Sequence, residues 1–123
     1  MNNLYPVTIY LAPVEYEALH DFCQYYANQV VNGSVADIRN VDLLLADFYK
    51  RTFTYARIQA FTAPKRRQSG KRYALKIGLI YARILREQLY ETYQVTGPLV
   101  HVDNELNRAL LEIGDVGGIK RLS

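Results

Sequence analysis

The stretch Gly70-Lys71-Arg72-Tyr73-Ala74-Leu75-Lys76-Ile77-Gly78-Leu79-Ile80-Tyr81-Ala82-Arg83-Ile84-Leu85-Arg86, continuing to Tyr93, decides how this chain is expected to fold. Ser69 stands before it as a capping residue and Gly97-Pro98 follows it as a stop, so the spacing predicts one helix over about 70–93. Arg72, Lys76, Arg83, Arg86 and Tyr90 then fall within about 80° of arc on the helix, interrupted by Leu79. Ala74, Leu75, Ile77, Tyr81, Ala82, Ile84, Leu85 and Leu89 take the inward side. A one-sided basic stripe is the expectation.

Upstream, Thr62 to Lys71 joins Pro64, Ser69 and Gly70 to Lys65, Arg66, Arg67 and Lys71, and reads as a basic loop. Further back, Val7-Thr8-Ile9-Tyr10-Leu11 alternates like a strand. Pro13 opens a first helix with the stripe Val14, Ala18, Leu19, Phe22, Cys23, Tyr26, Val30, closed by Asn32-Gly33. Ser34 opens a second helix carrying Ile38, Val41, Leu44, Leu45, Phe48, Tyr55 and Ile58, with a bend at the poor helix formers Thr52–Tyr55. Downstream, Leu99-Val100-His101-Val102 reads as a second strand and Asp103 as the cap of a last helix ending near Gly114. The expected fold is mainly α, about four helices with two short β-strands forming a ribbon within or between chains. One compact domain is expected over residues 1–114, with basic loop 62–71 and a flexible tail at 115–123.

Composition narrows the class. Half of the 123 residues are hydrophobic, enough for a core, which excludes wholesale disorder. One cysteine excludes a disulfide-stapled scaffold. Apolar runs such as Leu43 to Ala46 are far short of a membrane span, and Met1 to Pro6 lacks the charged and apolar regions of a signal peptide. A soluble, cytoplasmic protein is expected.

Charge is the informative feature. Residues 1–47 hold one Arg against six carboxylates (net −5), and residues 87–123 hold three cations against six carboxylates (net −3). Between them, residues 48–86 hold eleven Lys and Arg with no Asp or Glu (net +11). Such a block needs counter-charge. Either the acidic ends fold back onto it, or phosphates supply the anions. Clustered Lys and Arg favour phosphate, with Lys65, Arg66, Arg67, Lys71, Arg72, Lys76, Arg83 and Arg86 as the contacts.

Other chemistry finds less support. Gly70-Lys71 lacks the upstream Gly and the Ser or Thr of a phosphate-binding P-loop. His20 and Cys23 share a helix face, but no third ligand is evident, so burial is the better account of both and no metal or cofactor is expected. Ser34 and Ser69 are explained as caps, and no nucleophile–His–acid set emerges, so no enzyme is expected. Tyrosines around the block, among them Tyr49, Tyr55, Tyr73 and Tyr90, read as half-buried core edges ahead of base-stacking surfaces.

Residues 6–50 resemble the ribbon-helix-helix class of DNA-binding proteins. The resemblance rests on the strand Val7–Leu11, on Pro13-Val14-Glu15 opening a first helix, and on the Gly33–Ile38 turn into a second. It implies a homodimer formed through the strands and a ribbon entering the major groove. Outward Thr8 and Tyr10 would then read bases, and the Gly33-Ser34 turn would hold phosphate. The sequence thus points to a non-catalytic accessory or regulatory protein binding DNA (or RNA). A module docking an acidic protein partner is the first alternative. A small metal-independent nuclease working through Tyr73 and Arg72 is the second.

Overall fold

The computed structural model describes residues 6–92 and 95–114; the tail expected at 115–123 lies outside them. The described elements run β1 (Pro6–Leu11), α1 (Pro13–Asn32), a 3-10 turn (Val35–Asp37), α2 (Asn40–Thr52), α3 (Tyr55–Phe61), α4 (Pro64–Ser69), β2 (Tyr73–Gly78), α5 (Leu79–Thr92) and α6 (Pro98–Glu112). The fold is mainly helical, with one antiparallel two-stranded sheet that pairs β1 with β2 of the same chain. The chain clusters into two compact units, one of Met1–Tyr10 and Ala74–Ser123, the other of Leu11–Tyr73.

In the Leu11–Tyr73 unit, α1 packs along α2 and also meets α4. Pro13 sits in the first turn of α1, where its missing N–H costs nothing, and Gly33 ends the helix as expected. Tyr16, Leu19, Cys23 and Tyr26 form the buried stripe, and Val14 lies outside it, exposed. Tyr16 stacks on Phe61 with ring centroids 4.1 Å apart, and its hydroxyl donates to the Thr52 carbonyl at 3.3 Å. Burial pushes that phenol up to about 12, the nearby Arg57 charge pulling the other way. The weak helix formers break the long second helix where expected. α2 stops at Thr52, and the Thr54 hydroxyl caps α3 by accepting from the Arg57 N–H at 3.3 Å. Ser34 caps only the 3-10 turn, so α2 begins later, at Asn40.

In the other unit, β1 and β2 bury Val7, Ile9, Leu75 and Ile77, while α5 and α6 pack together and bury Ala82, Leu85, Leu89, Val102, Leu106, Ala109 and Leu110. The outer edge of β1 is closed by side chains of α6. Glu105 accepts from the Tyr10 N–H at 2.8 Å, Arg108 donates to the Thr8 carbonyl at 3.0 Å, and His101 Nε2 lies 3.0 Å from the Tyr10 carbonyl. Backbone groups of Thr8 and Tyr10 point one way because alternate residues of an antiparallel strand face opposite edges. A strand-paired dimer through this edge of β1 would have to release all three bonds.

Three expectations are corrected. Residues 70–93 are not one helix: Gly70, at φ 70°, closes α4 in a left-handed turn, and Tyr73–Gly78 is the second strand. Leu75 and Ile77 are buried while Ala74 and Lys76 are exposed, a period of two that a six-residue window does not separate from a helical one. Conversely, Leu99–Val102 is helical. Pro98 occupies the first turn of α6, Asp103 lies inside the helix, and Val102, Leu106, Ala109 and Leu110 supply a helical stripe that outweighs two β-branched residues. The expected loop 62–71 is largely α4.

Candidate nucleic-acid interface

The strand at Tyr73–Gly78 dissolves the predicted basic stripe. Lys65, Arg66, Arg67, Lys71 and Arg72 belong to the Leu11–Tyr73 unit, and Lys76, Arg83 and Arg86 to the other. Lys76 lies on β2, whereas Arg83 and Arg86 lie on α5. Arg86 is only 8% exposed, and its charge acts on Asp103 of α6. Burial raises the Asp103 pKa, with Arg86 opposing. A buried cation facing an acid on the adjoining helix supports the packing of α5 and α6, and is poorly placed to meet a phosphate.

Within the Leu11–Tyr73 unit, two arginines are held by carboxylates of α1. Arg72 donates from Nε and Nη2 to the two oxygens of Glu15, both at 3.0 Å. Glu15 is 6% exposed and also accepts from the Ala12 N–H at 2.7 Å, so one carboxylate both caps α1 and anchors the chain leading into β2. Arg67 spans Glu17 with bonds of 3.2 and 2.5 Å and donates from Nε to the Thr62 carbonyl at 3.0 Å. The bond to Glu17 pushes the Arg67 pKa up. The acid-capped helix start recurs at α2, where Asp42 accepts from the Arg39 N–H at 2.9 Å and from its guanidinium at 3.1 Å. The acidic N-terminal third thus does fold back on part of the basic block.

The remaining cations of this unit differ. Lys65 and Lys71 are exposed and meet no carboxylate among the described residues, and the same holds for Lys50 and Arg57 earlier in the acid-free run. Arg66 lies with its guanidinium 4.2 Å from the Tyr73 ring centroid and 5.4 Å from that of Phe61. This stacking orients the cation without neutralising it. The Ser69 hydroxyl lies 2.7 Å from that of Tyr73 and accepts from the Lys71 N–H at 3.1 Å, fixing the turn that follows α4. Lys50 and Arg57 belong to the same charge block but stand outside both the expected loop and the predicted stripe.

An open hollow of about 450 Å³ in the same unit is lined by Tyr16, Glu17, His20, Asp21 and Ile58. His20 Nδ1 lies 2.9 Å from Asp21, and Nε2 lies 3.2 Å from the Tyr49 hydroxyl. The ring thus lies within hydrogen-bond distance of Asp21 on one side and of Tyr49 on the other. Both ring nitrogens are thereby engaged. Cys23 is fully buried, and burial drives its thiol pKa far up. No group of three or more His, Cys, Asp and Glu among the described residues could hold a metal ion. No helix among them is long and apolar enough to cross a membrane. Comparison with protein-family models, curated proteins and solved structures finds no match to this chain.

Proposed function

We propose that this is a non-catalytic nucleic-acid-binding protein whose phosphate contacts come from the exposed cations of its Leu11–Tyr73 unit. The supporting observation is a division within one acid-free run: Arg67 and Arg72 have carboxylate partners, while Lys50, Arg57, Lys65 and Lys71 have none among the described residues. Such cations displace the counterions condensed on a polyphosphate, which makes association entropically favourable and salt-dependent. Arg66, oriented by two rings, adds a planar donor suited to a phosphate oxygen.

Titrating labelled oligonucleotides across a salt series tests this. Five phosphate contacts predict a slope of log affinity against log salt of about −4.5 on duplex and about −3.5 on a single strand. Eight contacts, the number expected from the basic loop and stripe together, would give about −7 on duplex. Replacing Lys65 and Lys71 with Ala lowers the slope by about two contacts' worth and leaves the fold intact. A protein that ignores polyanions at physiological salt but forms a defined complex with an acidic protein refutes the proposal and favours the docking-module alternative.

A further inference from the structure

Tyr55 is the exception among the tyrosines of the Leu11–Tyr73 unit. Tyr16 stacks on Phe61, Tyr26 meets Phe22 and Tyr25, Tyr49 meets His20 and Phe53, and Tyr73 takes Ser69 and Arg66. Tyr55 is 79% exposed, and its side chain has no ring, hydrogen-bond or ion-pair partner among the described residues. Its position is nevertheless fixed. It is the first residue of α3, directly after the Thr54 cap, and buried Phe53 and Phe61 anchor the chain on either side. Gln59, one turn on and exposed, shares its helix face.

Cations stand on either side of it in the sequence. Lys50 and Arg57 flank it, both exposed and without a carboxylate partner among the described residues, in a run that carries no acid from 48 to 86. An exposed aromatic ring in an acid-free run that carries unneutralised cations offers what an unpaired nucleotide needs: a surface for the base and charge for the adjoining phosphates. A duplex cannot use that surface, because its base faces are already stacked on one another. We infer that Tyr55 is a base-stacking platform and that the ligand is a single-stranded nucleic acid. This rests on the proposed function and specifies its substrate class.

The test compares wild type, Tyr55→Ala and Tyr55→Phe by fluorescence anisotropy on labelled dT12, rU12 and a 12-base-pair duplex. Circular dichroism checks that the variants are folded, which the exposure of the side chain favours. Wild type is expected to prefer the single strands, and the two oligomers show whether deoxyribose or ribose is favoured. Tyr55→Ala should weaken single-strand binding by about 5- to 100-fold, with the duplex unchanged, since stacking is lost while charge remains. Tyr55→Phe keeps the ring face and should retain affinity within about threefold. Equal losses on single strand and duplex, unchanged single-strand binding by Tyr55→Ala, or a preference for duplex by wild type would each overturn the inference and leave the proposed function standing. Binding of wild type to none of the three overturns both.

Discussion

Arg72 offers the sharpest test, because two accounts of it diverge in measurable ways. If its task is to neutralise Glu15, Arg72→Ala leaves a carboxylate that is 6% exposed and that still accepts from the Ala12 N–H. Breaking a fully buried pair costs about 3–5 kcal/mol and an exposed one about 0–1 kcal/mol. The Arg72 side chain is 51% exposed, so water screens the pair and the expected loss is about 1–3 kcal/mol. Glu15→Gln retains an acceptor for the cap and should cost about 1–2 kcal/mol, whereas Glu15→Ala also orphans the Ala12 N–H and should cost about 2–4 kcal/mol. Urea denaturation of both singles and the Arg72→Ala/Glu15→Ala double gives the coupling, expected at about 1 kcal/mol or more. Oligonucleotide affinity of folded Arg72→Ala should stay within about threefold of wild type, since this cation is already engaged. Additive losses, or unchanged stability together with abolished binding, would show that the clasp contributes nothing and that Arg72 belongs to the ligand.

Two further outcomes follow from buried groups. Burial tends to raise the pKa of Asp42, but the Arg39 N–H and guanidinium bonds outweigh it; for Glu105, Arg108, the Tyr10 N–H and the His101 charge do the same, so both folded pKa values lie below their ordinary values. Their stabilisation is therefore complete above the unfolded carboxylate range, about 3.9–4.3, and is lost as pH falls through the folded values. Urea midpoints should drop between about pH 5 and pH 3, and Asp42→Asn with Glu105→Gln should flatten that fall; an unchanged pH dependence would refute it. Cys23, at 0% exposure with its thiol pKa raised by burial, should react with a disulfide reagent only once the protein is unfolded. Equal labelling rates in native buffer and in denaturant would contradict that.

The sequence carried its local signals well and its long-range ones poorly. Pro13, Gly33 and the Thr52–Tyr55 break act within one turn of chain, and each stands where the spacing placed it. Tyr73–Gly78 reads as helix in isolation because its conformation depends on pairing with β1, more than sixty residues earlier, and on the left-handed Gly70 that isolates it from α4. Leu99–Val102 fails in the other direction, because the helical stripe Val102, Leu106, Ala109 and Leu110 overrides local β-branching. At the candidate interface the charge block was plain, but which cations remain available was not. Glu15 stands 57 residues from Arg72, and Glu17 stands 50 from Arg67. Tyr55 reads like the half-buried tyrosines because its place in a helical stripe does not tell whether a partner covers it.

The closure of β1 by α6 bears on how the chain is made. The three bonds that complete that edge join residues 91 to 100 positions apart, so the strand leaves the ribosome long before the helix that finishes it. Until then Thr8 and Tyr10 present open backbone groups to any neighbouring nascent chain, an invitation to intermolecular sheet growth. Arg108, held by Glu105 and Glu112 and lying 5.6 Å from the Tyr10 ring centroid, is the last part of that seal to be synthesised. Translation that stalls short of it would release a polypeptide with an unguarded margin.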